Sequence, residues 1–261
     1  MTRLVLVGGG RMGEALLGGL IAGGWGSASE FAVVEPVAAR RDELAARYPG
    51  LTVSDGPLGG DGVVLAVKPH QVEEACRALS GLTVGRVLSI AAGVTLTRLE
   101  SALQPGTAVV RAMPNTPALV GAGAAAIAGG THATAADMDW AEEVLGAVGI
   151  VVRVSETQLD AVTGLSGSGP AYVFLVAEAL IEAGVLVGLP RDVSVELAVQ
   201  TLLGSARLLA ETGDEPAALR AAVTSPGGTT AAGLRALEDR ATRAAFIAAV
   251  VAARDRSAEL A

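Results

Sequence analysis

Three glycines, Gly8, Gly10 and Gly13, stand in G-x-G-x-x-G spacing, with Arg11 and Met12 between the last two. The apolar run 3–8 leads directly into them, and residues 14–21 then take helical spacing. Strand, turn and helix in that order suit a dinucleotide. Gly8 permits the tight turn, Gly10 lets the backbone approach a pyrophosphate, and Gly13 lets the helix lie close on the strand. The unpaired N–H groups of the helix start, with the dipole behind them, make an anion site. A plain glycine-rich turn has the same composition; the placement favours dinucleotide binding.

A second candidate anion site lies near the other end. Pro226, Gly227 and Gly228 read as a turn, and 229–238 reads as a helix. The N–H groups of Gly228, Thr229 and Thr230 would then face a small carboxylate, with hydroxyls, Ser225 among them, close by. An ordinary threonine-capped helix fits the same residues. Between the two sites, residues 164–170 look at first like a nucleophile elbow. G-x-S-x-G is not matched around Ser166, and no strand precedes it. Ser168 or Gly169 is expected instead to cap a helix beginning at Pro170.

Positioning such groups needs a sheet. The runs 31–35, 62–67, 86–90 and 107–111 are almost continuously apolar and alternate with helical stretches such as 37–48 and 70–79. That is the rhythm of a doubly wound parallel sheet covered on both faces. The runs 123–128 and 149–154 add two more strands. From about Val154 the strand signals stop, and 157–163, 170–187, 191–212, 216–223, 229–238 and 241–259 read as helices. The expected architecture is an α/β Rossmann domain, mostly parallel, over 1–154, followed by an all-α domain over 155–261.

Ligands of such a sheet sit beyond the carboxyl ends of its strands. There the sequence places Gly8–Gly13, Glu35 with Pro36, Val67–Pro69, Ala91–Gly93 and 113–117 with Asn115. Glu35 stands where an acid would bond the adenosine 2′-hydroxyl of NAD, whereas a 2′-phosphate would want arginine. Arg40 and Arg41 lie just beyond, where a solvated helix face is the simpler reading. Lys68 is the only lysine. Backbone groups of Val67 to Pro69 could contact a cofactor whatever its ammonium does.

Composition narrows the class. The chain has 261 residues, a formal net charge of −8, 51% hydrophobic and only 3% aromatic residues, and a mean hydropathy of +0.51. The acidic balance argues against a nucleic-acid partner. One cysteine excludes an intrachain disulfide, and two histidines supply no zinc-type cluster. Glu178 and Glu182 within the most apolar helical stretch argue against a membrane span. With no signal peptide read ahead of the first strand, a cytoplasmic enzyme is expected. The surplus of apolar residues is expected to be buried between subunits.

These segments together resemble the pyrroline-5-carboxylate reductases. The likeness lies in Gly8–Gly13, Ala66–Pro69, 89–94, 111–117, 165–172 and 225–230, and it covers essentially the whole chain. It implies a Rossmann domain, a helical dimerisation domain, and interlocked homodimers that often assemble as a pentamer of dimers. It also implies reduction of 1-pyrroline-5-carboxylate to L-proline, the last step of proline biosynthesis, with NADPH or NADH. Residue by residue, the cofactor would meet Gly8, Gly10, Arg11, Met12, Gly13, Glu35, Ala66, Val67, Lys68 and Pro69. Ala91, Ala92, Gly93 and Asn115 would flank its nicotinamide. Gly228, Thr229 and Thr230 would hold the substrate carboxylate, Ser225 would line the pocket, and the Thr230 hydroxyl would be catalytic, near the ring nitrogen. Glu35 departs from relatives that carry a small polar residue there, which leaves the choice of dinucleotide open. An acidic family contact falls near Gly213 and is not carried over. A hydroxyacid-type dehydrogenase would want a lysine in the second domain, where this chain has none. A nucleotide sensor without catalysis would give the 225–230 loop no purpose.

Overall fold

The structure is a computed structural model and describes residues 2–260. The first half runs β1 (Leu4–Val7), α1 (Arg11–Ala22), β2 (Phe31–Val34), α2 (Ala38–Arg47), β3 (Thr52–Ser54), β4 (Gly62–Leu65), α3 (Val72–Ala78), β5 (Arg86–Ser89), α4 (Leu96–Ala102), β6 (Ala108–Met113), β7 (Gly123–Gly129), α5 (Ala135–Gly146) and β8 (Gly149–Arg153). Eight strands form one sheet in the order β3-β2-β1-β4-β5-β6-β7-β8. All neighbours are parallel except β6 and β7. This is the mostly parallel Rossmann sheet that the alternating runs lead one to expect. β3 escapes sequence reading because three residues at a sheet edge carry too little pattern.

The period-2 alternation of side chains builds two cores from one sheet. Leu4, Leu6, Val64, Leu88 and Val110 face one way, packing with Leu16, Leu17 and Leu20 of α1, Leu44 of α2 and Trp140 of α5. Val5, Val63, Leu65, Val87 and Val109 face the other way and meet Val72 and Cys76 of α3 and Leu99 of α4. Each fully buried aliphatic side chain contributes about 1.5–3 kcal/mol, which makes both helical layers obligatory. Helix α5 begins at a capping box. Thr134 Oγ1 accepts from Asp137 N, and Asp137 Oδ2 accepts from Thr134 N at 2.9 Å. The S/T-x-x-D/E spacing is a signal available from sequence.

The remaining helices are α6 (Leu159–Val162), α7 (Gly169–Leu186), α8 (Arg191–Thr212), α9 (Pro216–Ala222), α10 (Thr229–Glu238) and α11 (Thr242–Glu259). The chain packs as two compact units, one of residues up to Ser168 together with Val251 onward, the other Gly169–Val250. Within the second unit, α7 and α8 lie close because Gly184 has no Cβ where Ser194 sits. Ser194 Oγ donates to Ile181 O at 2.8 Å. Among the described residues of this unit only Ser194 and Ala198 are buried, and large apolar side chains such as Phe174, Leu175, Leu186 and Ile247 stand exposed. Two helical stretches, 156–186 and 191–212, are long and apolar enough to cross a membrane by length and composition.

One expectation fails at the entry to α7. Ser168 does not cap a new helix. It is itself helical, with φ −85° and ψ −19°, and follows a π-helical turn over Thr163–Gly167 that continues from α6. The reason is a carbonyl accounting. Pro170 has no N–H to give to Ser166 O four residues back, and Asn115 Nδ2 donates there instead at 3.0 Å. Asn115 Oδ1 accepts from Ala124 N at 2.8 Å. One amide thus ties the β6–β7 loop, β7 and the π turn together. Asn115→Ala, which orphans both backbone groups, is expected to cost about 1–3 kcal/mol in urea unfolding.

Candidate active site

Strand β1 has β2 on one side and β4 on the other, so the chain reverses its direction of winding at β1. The crevice at such a reversal is where open α/β sheets bind ligands. The turn after β1 and the turn after β4 are held together there. Ala66 N donates to Val7 O at 2.8 Å, and Gly8 N donates to Val34 O at 2.8 Å. Gly8 has φ +109°, and a Cβ on it would lie 2.7 Å from Ala66 O. A Cβ on Gly13 would collide with Gly8 O, so its absence lets α1 seat against the turn.

Gly10 is different. It is exposed, nothing lies within 4 Å of where its Cβ would be, and it N-caps α1 with no side-chain bond. The first-turn N–H groups of α1 therefore have neither an intrahelical nor a side-chain acceptor. An open approach over Gly10, with uncapped N–H groups behind it, fits a pyrophosphate. Arg11 is exposed and Met12 half-buried beside it.

Glu35 ends β2 almost completely buried. Its Oε2 accepts from Gly9 N at 3.0 Å and its Oε1 from Val37 N at 2.9 Å. The arginines beyond it do not form a solvated helix face as their spacing suggested. Arg40 Nε donates to Gly9 O at 2.8 Å, and its guanidinium pairs with Glu14 and Glu43. Arg41 Nη1 donates to Glu35 O and Pro36 O, both at 2.9 Å. Arg40 thus reaches a carbonyl of the glycine turn, and Arg41 reaches two carbonyls of the connection between β2 and α2. Glu14, overlooked in the sequence, is the acid that makes this possible. This acid in the first turn of α1 is covered by two cations, Arg40 and Arg47. Burial pushes the Glu14 carboxyl up, but hydrogen bonds and charge from Arg40 and Arg47 outweigh it and hold it below its ordinary value.

The other expected residues line the same edge of the sheet. Ala66 and Val67 follow β4 half-buried, Lys68 and Pro69 are exposed, and Lys68 N donates to Gln71 Oε1 at 3.2 Å. After β5, Ala91 is buried, Ala92 exposed and Gly93 half-buried. That loop is anchored by a second overlooked acid. Glu156 Oε1 accepts from Leu96 N at 2.7 Å and pairs with the buried Arg111 at 2.8 Å. Asn115 follows β6, with its amide committed as described above. Neighbouring parallel strands β2, β1, β4, β5 and β6 thus bring all fourteen expected cofactor residues to their carboxyl ends. The single cysteine takes no part: burial pushes the Cys76 thiol up to about 11, which leaves it inert.

In the helical unit, Gly228 N-caps α10 with φ −78° and ψ 174° and no side-chain bond. This excludes the threonine-capped reading, since Thr229 and Thr230 already lie inside the helix. One expectation is corrected here. The Gly228 N–H is not free, because it donates to Ser225 O at 3.0 Å. The tight turn, with Gly227 at φ +69°, requires that bond. Ser225 Oγ fills the space where Gly228 has no Cβ. Thr229 and Thr230 remain with first-turn N–H groups that α10 itself does not bond.

A switch-point cradle on a mostly parallel sheet, with an uncapped helix above it, defines the class of Rossmann-type dinucleotide-dependent oxidoreductases. Residues 3–93 match the family model described as NADP oxidoreductase, coenzyme F420-dependent, and residues 156–260 match that of pyrroline-5-carboxylate reductase dimerisation. A pyrroline-5-carboxylate reductase of Synechocystis is 46% identical, with 99% of this chain and 98% of the relative covered. The solved pyrroline-5-carboxylate reductase of Coxiella burnetii superposes with a TM-score of 0.93 at 39% identity, covering 100% and 98% of the two chains. The pyrroline carboxylate reductase of Plasmodium falciparum, solved with NADP bound, gives 0.83 at 29% identity over 99% and 98%. The chain belongs to the pyrroline-5-carboxylate reductase family.

Two outcomes follow from the cradle. Gly10→Val places its side chain in open space with an ordinary backbone conformation, so thermal stability is expected to stay within about 0.5 kcal/mol while reduced-dinucleotide binding, read by fluorescence titration, is lost. Because the Glu14 carboxyl is lowered in the folded state, its contribution to stability is present at neutral pH and disappears as pH falls through that lowered value. Glu14→Gln is therefore expected to flatten the acid limb of a stability–pH profile measured by urea unfolding.

Proposed function

We infer that the protein reduces 1-pyrroline-5-carboxylate to L-proline with NAD(P)H, the last step of proline biosynthesis. The observation that carries the reading is the uncapped start of α10 with Thr229 and Thr230 inside it, in a chain similar to these reductases over its whole length. Bound on α1, the reduced dinucleotide supplies the hydride. The chain's own residues bind, orient and exclude water. The N–H groups of Thr229 and Thr230 hold the substrate carboxylate at the positive end of the helix. The Thr230 hydroxyl holds the proton at the ring nitrogen, since a protonated imine accepts hydride at carbon far more readily than a neutral one. Ser225 lines the pocket, and the loop Ala91–Gly93 orients the nicotinamide. No strong acid or base is needed, consistent with a chain of two histidines.

The protein is a homo-oligomer. Residues 155–261 act as its dimerisation domain and 1–154 as its nucleotide domain, a division supported by the family match over 156–260. The exposed apolar faces of α7 and α8 are read as subunit interface and not as membrane spans, because that match covers both helices. We further read the assembly as a pentamer of dimers working in the cytoplasm.

Thr230→Ala is expected to lower kcat about 10²-fold, the low end for a positioned proton donor, with KM little changed. Steady-state loss of reduced-nicotinamide absorbance on adding pyrroline-5-carboxylate measures this. Unchanged kcat removes Thr230 from the mechanism, and no substrate-dependent oxidation by the parent protein removes the activity.

A further inference from the structure

We propose that the end of β2 is a specificity element that selects NADH and rejects NADPH, with Glu35 as its deciding residue. The two dinucleotides differ by one phosphate on the adenosine 2′-oxygen, and in this fold that oxygen is read at the end of the second strand. Glu35 presents a fixed carboxylate there. It is 8% exposed, and its two oxygens are clamped by Gly9 N and Val37 N. Each oxygen keeps a lone pair for a ribose hydroxyl. A 2′-hydroxyl is a donor and satisfies it. A 2′-phosphate has no donor to offer and brings close to two negative charges against the carboxylate.

A phosphate would find the first-turn N–H groups of α2 open, but the side-chain donors and cations of the neighbouring segments are committed elsewhere. Pro36 has no N–H, and the Val37 N–H is spent on Glu35. The Ser54 hydroxyl, at the end of adjoining β3, donates to Gly56 O at 3.0 Å. Arg40 is drawn to Gly9 O, Glu14 and Glu43. Arg41 is drawn to Glu35 O and Pro36 O, with Asp55 at 3.8 Å from its other terminal nitrogen. Recruiting Arg40 would break its bond to the glycine turn, recruiting Arg41 would break its bonds to the connection between β2 and α2, and either would leave the Glu35 carboxylate in place. Like charges held together in this way repel, and so act against the wrong ligand.

The inference rests on the nicotinamide reading of the site, so the test is made without imine. Dissociation constants for NADH and NADPH are measured by nicotinamide fluorescence, and each is competed with 5′-ADP and 2′,5′-ADP. NADH is expected to bind at least about tenfold more tightly, a gap of 1.4 kcal/mol, with 5′-ADP the stronger competitor. Glu35→Ser is expected to bring the two constants together by weakening NADH and strengthening NADPH. NADPH binding as tightly as NADH, or a ratio untouched in Glu35→Ser, overturns the proposal. If Glu35→Ser does not fold, the two competitors on the parent protein decide alone. Normal turnover of pyrroline-5-carboxylate with a failed preference sinks this proposal only; intact NADH preference without such turnover sinks the assigned substrate only.

Discussion

The nucleotide half depends on how closely α1 can approach the turn that precedes it. Gly13 has no side chain, and the Gly8 carbonyl occupies that space. With that contact made, α1 begins over the reversal at β1, and its open first turn faces the crevice. Any Cβ there would push the helix start, with its open N–H groups, outward from the crevice. The burial of Leu16, Leu17 and Leu20 supplies the force that drives the helix inward. The glycine sets how far it goes.

A second tier of interactions stiffens this arrangement through acids. Glu35 clamps Gly9 and Val37, Glu14 gathers Arg40 and Arg47, and Glu156 joins the start of α4 to Arg111 on β6. Each bonds backbone groups or arginines that in turn bond backbone groups. An acidic chain thus uses carboxylates as internal braces along the carboxyl edge of the sheet. The arginines keep the local charge balanced, with Arg111 buried, Arg40 half-buried and Arg47 exposed.

Much of this was legible from residue order. Apolar runs marked all strands but β3, and α8 and α10 fall on the residues their periodicity indicates. The glycine motif, Glu35 and the turn before α10 stood out because their spacing is short-range chemistry. What could not be read was long-range. Nothing near Arg40 in sequence announces Gly9 O, and nothing near Asn115 announces a carbonyl left over by Pro170. The π turn is a case in point: local propensity asked for a capped helix, and an amide from the β6–β7 loop answered differently. The Gly228 N–H was misjudged for a related reason, since turn closure had the prior use for it.

The bareness of the helical unit has a cost at birth. Its described residues bury only Ser194 and Ala198, so a newly made chain carries helices whose oily sides have nothing to rest on. Folding and pairing must then be one event whose yield rises with how many sister chains are near. A cell making too few copies would lose them to clumping or proteolysis before they meet. Supply of the enzyme would therefore fall off faster than its synthesis does.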